Sequence, residues 1–108
     1  MFVLVGSADP ATGREKDLLG ALTEFAEGLR KQPGLIEVFV LQDPENGQCT
    51  AISRWKDKDS CVQGMAAVPQ GRKADTSLYA TRPAGRSGNV EWIWETDGRG
   101  GHSPNAVG

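Results

Sequence analysis

Glu37 lies between Leu35 and Phe39 in the run Leu35 to Gln42, and on its own alternating side it is the one charged residue among apolar ones. A carboxylate turned into an apolar cavity loses water, so its pKa rises and it can take a phenolic or carbon-bound proton. The ordinary alternative is a rim glutamate paired with a neighbouring cation. Trp55 closes the next apolar run. Its indole could stack on a flat aromatic molecule and donate one hydrogen bond, or it could simply anchor the core. Ser7 and Ser53 offer hydroxyls to a ligand or to nearby backbone. Tyr79 could face the same pocket or cap the core, and Phe39 shares the apolar face of Glu37. Glu37 and Trp55 are thus the candidate catalytic residues, and Ser7, Phe39, Ser53 and Tyr79 the candidate substrate contacts.

Other chemistries find little support. His102, the only histidine, stands alone in a glycine-rich tail, so no Ser/His/Asp or Cys/His set can be assembled. Cys49 and Cys61 lack metal-type spacing and are expected as reduced, half-buried thiols. The glycines from Gly98 to Gly101 do not follow a strand and open a helix, so they carry no phosphate-cradle signal. No metal or other cofactor is expected. Net charge is −2, from 12 basic and 14 acidic residues intermixed, which disfavours nucleic acid as a partner. Arg72, Lys73, Arg82 and Arg86 give one connection a local positive bias, suited either to an anionic substrate or to a solvated loop. No apolar run approaches the ~20 residues needed to span a bilayer. The start MFVLVGSADP reads as a strand rather than a signal peptide, so no membrane association and a soluble, cytoplasmic protein are expected.

The elements that must position these residues follow from periodicity. Phe2 to Ser7 is a short apolar strand stopped by Asp9-Pro10. Leu18, Leu22, Phe25 and Leu29 then draw one helical stripe, with Thr12 and Glu15 at the capping-box spacing and Gln32-Pro33-Gly34 as the stop. Leu35 to Gln42 and Gln48 to Trp55 form a hairpin around Asp43-Pro44-Glu45-Asn46-Gly47. Asp57 or Asp59 caps a second helix through Cys61, Val62, Met65 and Ala66, which Val68-Pro69 interrupts, and a further helical piece is expected within 70–80. Arg82 to Gly88 reads as loop, Val90 to Thr96 as the fourth strand. The order is β-α-β-β-α-β, an α+β ferredoxin-like fold with a four-stranded antiparallel sheet and helices on one face. Residues 1–96 are expected as the single domain and 97–108 as a flexible tail.

Alternation puts large apolar groups on both faces of this sheet. Ile36, Val38 and Val40 oppose Leu35, Phe39 and Leu41, and Val90, Trp92 and Trp94 line one side of the expected last strand. Helices cover one face only, so the other predicts a homodimer packed sheet to sheet.

Pro33-Gly34-Leu35, the Asp43-Pro44 turn, Arg54-Trp55-Lys56-Asp57-Lys58-Asp59-Ser60 and Pro69 together resemble the antibiotic biosynthesis monooxygenase family of dimeric α/β barrels. The resemblance implies a pocket between sheet and helices and, in the oxygenases, turnover of small aromatic or quinol-type substrates without metal or flavin. The family's polyketide oxygenases place an asparagine, a tyrosine and an arginine around the tryptophan. Here Ala51, Cys61 and Asp75 stand at those spacings, with Arg72 and Lys73 near the last. The haem-degrading branch needs a histidine where Ala74 falls, which disfavours that route. The resemblance implies a cofactor-independent monooxygenase in which Glu37 helps form the substrate anion and Trp55 orients its ring. A non-catalytic dimeric module binding a small ligand, and a barrel filled by its own side chains, are the alternatives.

Overall fold

The computed structural model describes residues 1–91, 93–95 and 100–104. Strand β1 (Phe2–Ala8) leads to helix α1 (Glu15–Leu29), the hairpin β2 (Leu35–Gln42) and β3 (Cys49–Trp55), helix α2 (Lys58–Ala67), two 3-10 turns (Gly71–Ala74 and Thr76–Leu78) and β4 (Ala84–Asn89). A separate small hairpin pairs β5 (Ile93–Glu95) with β6 (Gly100–His102). The main sheet has the antiparallel order β2-β3-β1-β4, the ferredoxin-like arrangement expected from the sequence.

The fourth strand is not the expected one. It is Ala84–Asn89, from the stretch read as loop, and it pairs with β1 from Phe2↔Asn89 to Ser7↔Ala84. Glycine, serine and arginine carry no apolar period, but ladder bonds need only backbone, and among the described residues this exposed edge strand pairs with β1 alone. Of the segment expected as that strand, Ile93–Glu95 pairs elsewhere, and Trp92 and Thr96 lie outside the described residues. Of the expected tail, Gly100–His102 is paired, while 97–99 and 105–108 lie outside them.

Helix α1 buries Leu18, Ala21, Leu22, Phe25 and Leu29, the anticipated stripe plus one alanine. Thr12 is not its cap: Gly13 turns at φ 79°, Arg14 takes the cap position, and the Glu15 carboxylate reaches back to the Gly13 N–H at 3.4 Å. Asp57 does cap α2, its carboxylate accepting from the Ser60 N–H at 2.8 Å. That bond draws the Asp57 pKa down.

A bulge between Leu35 and Glu37 resets the start of β2. Leu35 therefore turns to the helix side with Val38 and Val40, against the strict alternation read from sequence. The core forms two clusters on the inner face. Phe2, Phe25, Leu29, Trp55, Cys61 and Val68 make one, and Ala8, Leu18, Ala21, Leu22, Cys49 and Leu78 the other. Both cysteines are free, and burial pushes both thiols above the ordinary value, at Cys49 against an opposing hydrogen bond from Gln42. Among the described residues no helix is long and apolar enough to cross a membrane.

Candidate functional site

A cavity of about 470 Å³ opens where the two core clusters meet, between the inner sheet face and the helices. That volume lies within the roughly 300–1,000 Å³ typical of small-molecule sites. Strand register explains the space. Ala51 stands opposite Gly6, and Gly6 opposite Gly85, so one row across three strands carries almost no side-chain bulk. A Cβ built on Gly6 would meet nothing nearer than the Ala84 carbonyl oxygen at 4.0 Å. Above this floor, α1 contributes Leu22, Phe25, Ala26 and Leu29, and α2 contributes Met65.

The two 3-10 turns close one end. Arg72 crosses α1 to pair with Glu24 at 3.0 Å, and Gly20 leaves the room: a Cβ there would sit 3.0 Å from the guanidinium. Further on, the Ala11 N–H donates to the Leu78 carbonyl at 2.8 Å and the Ala80 N–H to the Asp9 carbonyl at 2.9 Å. An isolated bridge between Pro10 and Tyr79 completes the seam.

Lys73, one of the four cations that give this connection its positive bias, is held in this end wall. Its ammonium lies 4.1 Å from the Phe25 ring centroid and donates to Gln70 Oε1 at 3.0 Å. Burial pushes its pKa below the ordinary lysine value. Tyr79 also lines the cavity, and its hydroxyl donates to the Lys73 carbonyl at 2.5 Å. Burial and the nearby Asp75 charge raise the Tyr79 pKa, so the phenol stays protonated and keeps that bond.

The other candidates divide. Ser53 is in the wall, 4% exposed, but its hydroxyl already accepts the Trp55 indole N–H at 2.9 Å. Trp55 is fully buried, is not part of the wall, and stacks so tightly on α2 that a Cβ on Gly64 would lie 2.4 Å from its ring. The indole anchors the core instead of facing a ligand. Ser7 borders the cavity, but its register with Thr50 and Ala84 turns its side chain toward the outer face, leaving backbone for the wall. Glu37 and Phe39 are on that outer face as well. Glu37 pairs with Arg54 at 2.5 Å, and Phe39 is 43% exposed opposite Ile52. The expected carboxylate therefore does not enter the cavity, because both sheet faces are apolar and alternation alone could not tell which one the helices cover.

The spacings at which the polyketide oxygenases carry polar groups are filled differently. Ala51 gives the wall a methyl group, Cys61 is buried in the core, and Asp75 caps the second 3-10 turn through the Ser77 N–H at 3.0 Å. The wall's polar side chains are Ser53, Gln70, Lys73, Thr76 and Tyr79, with Lys73 the charged one among them. No cluster of three or more potential metal ligands occurs among the described residues.

The family described as antibiotic biosynthesis monooxygenase matches residues 1–65, more than half of the chain, and the chain belongs to it. No curated protein matches the chain. Among solved structures, a candidate antibiotic biosynthesis monooxygenase from Nitrosomonas europaea superposes with a TM-score of 0.73 at 16% identity, covering 82% of this chain and 97% of its own. A second such protein, from Deinococcus radiodurans, gives 0.72 at 18% identity, with 82% and 91% covered. A mutant of SnoaB, a cofactor-independent oxygenase from Streptomyces nogalater, gives 0.68 at 16% identity, with 82% and 90% covered. At these identities the likeness shows the shared fold.

Proposed function

We propose that the chain is a cofactor-independent oxygenase that holds a small aromatic or quinol-type substrate in the cavity between sheet and helices. The observation that carries this reading is the cavity itself: an apolar chamber with a few polar groups gathered at one end. Membership of a family whose fold is shared by a cofactor-independent oxygenase supports it. An apolar chamber excludes water and raises the energy of a bound substrate anion, unless the polar end compensates. At an anthrone-type methylene one C–H proton passes to solvent at the cavity mouth, the carbanion combines with dioxygen, the peroxide takes a proton back, and loss of water leaves a carbonyl. One oxygen atom enters the substrate and the other leaves as water, so no external reductant is consumed.

The active form in this proposal is a homodimer packed through the outer sheet face, where Phe39, Leu41 and Ile36 are each more than 40% exposed. No carboxylate lines the wall among the described residues, which favours a second reading, a dimeric module that binds the same class of ligand without turnover. Oxygen uptake across a panel of quinols and hydroxylated polycyclic aromatics separates the two. Ala51→Leu serves as the control, since it fills the floor of the cavity. Uptake by wild type that the control abolishes is the expected result. Ligand binding without uptake on any member of the panel would support the binding module instead.

A further inference from the structure

We infer that Lys73 makes the cavity selective for flat aromatic molecules carrying an anionic oxygen, a carboxylate or an ionised hydroxyl, at one end. The inference rests on the reading of the cavity as a ligand site. It starts from a charge without a counterion among the described residues: Lys73 lines the cavity, and its ammonium meets the Gln70 amide oxygen and the Phe25 ring, both neutral. Among the described residues no acid pairs with Lys73: Glu24 pairs with Arg72, and the Asp75 carboxylate caps its own turn through Ser77. A half-buried cation without a counter-charge is poorly solvated, and its lowered pKa reports that cost. An anionic oxygen entering the cavity supplies the missing charge in a low-dielectric setting, where a charge-assisted hydrogen bond is strong.

Geometry fixes where that oxygen goes. The Tyr79 hydroxyl clamps the Lys73 carbonyl at 2.5 Å and Arg72 ties the same turn to α1, so the turn is held at the end of the chamber, while Gln70 and the Phe25 ring hold the ammonium. The remaining walls, Leu4, Val38 and Ala51 below and Phe25 and Leu29 above, suit a planar hydrocarbon body. An aromatic acid would lie with its ring system between these layers and its anionic end toward Lys73. Tyr79 is then a positioning residue, acting through the turn that carries Lys73.

The test is a pair of isosteric ligands, 2-naphthoate and 2-naphthamide, titrated calorimetrically into wild type, Lys73→Met and Lys73→Arg. Wild type is expected to bind the acid at least about tenfold more tightly than the amide, which corresponds to ~1.4 kcal/mol. Lys73→Met keeps the affinity for the amide and loses the preference, while Lys73→Arg retains most of it. Equal binding of acid and amide by wild type, or a preference that survives in Lys73→Met, overturns the role of Lys73 and leaves the cavity as a ligand site. Failure of wild type to bind either compound overturns both readings together.

Discussion

Ser53 and Trp55 form a closed pair whose consequences can be measured separately from any ligand. The indole N–H has the Ser53 hydroxyl as acceptor at 2.9 Å, and both residues are buried. Ser53→Ala strands that donor without water, which costs about 1–3 kcal/mol. Chemical denaturation should show a lower midpoint with an unchanged slope. Stability equal to wild type would mean that the indole finds another acceptor. Glu37 gives the opposite expectation. Its pair with Arg54 is on the outer face, with side chains 47% and 32% exposed. Glu37→Gln should therefore leave any turnover unchanged and cost no more than about 1 kcal/mol, in line with exposed ion pairs. A large loss of oxygen uptake without loss of stability would return Glu37 to the mechanism. Part of the cavity wall was legible at this scale, though neither Glu37 nor Trp55 borders it. Ser53 and Tyr79 reach the cavity as expected, whereas Lys73 sits in a polar stretch, Gln70 to Ser77, with no apolar period to show that it faces inward. Only the 3-10 turn puts it into the wall.

Elements pack here by specific small residues as much as by large ones. Helix α2 can lie over the Trp55 ring because residue 64 is glycine, and a Cβ there would come within 2.4 Å of one ring carbon and 2.6 Å of the next. Alanine is normally better than glycine inside a helix by about 1 kcal/mol. Overpacking a buried ring costs about 1–3 kcal/mol, so the clash should win and Gly64→Ala should lower the melting temperature. A variant that melts higher than wild type would show that α2 shifts freely and that the indole is less firmly fixed than its full burial suggests. Helix α1 was readable because its apolar period agrees with the packing, and the hairpin and α2 because their turn and cap residues are strong signals, although a bulge shifts β2 and α2 buries only Cys61 and Gly64. Strand β4 was not, since a sheet edge built of Ala84, Gly85, Arg86, Ser87, Gly88 and Asn89 is recruited by the free backbone of β1 and leaves no hydrophobic signature.

At the scale of the molecule, the outer face decides whether the chain works alone. Strand register aligns Val5, Ile52 and Phe39 in one row across β1, β3 and β2, next to a row with Val3, Arg54 and Glu37. Among the described residues Phe39 and Leu41 are left exposed on this face, and standard protein–protein interfaces bury about 800 Å² per partner. A two-fold axis through the stripe would bury the apolar row against its own copy. Phe39 is already 43% exposed in the single chain, so Phe39→Glu should cost the isolated subunit little while placing two carboxylates in the apolar centre of a dimer. Sedimentation at micromolar concentration should give wild type twice the 11.5 kDa chain mass, and the variant a folded species at the single-chain mass. A wild type that sediments as a single chain at every concentration, or a variant that stays dimeric, would place the partner elsewhere. Leu4, Val38, Ala51 and Ser53 of the sheet line the cavity. If the dimer stabilises the sheet that forms its floor, the monomeric variant should bind 2-naphthamide more weakly. Unchanged binding would show that the sheet holds the cavity without its partner.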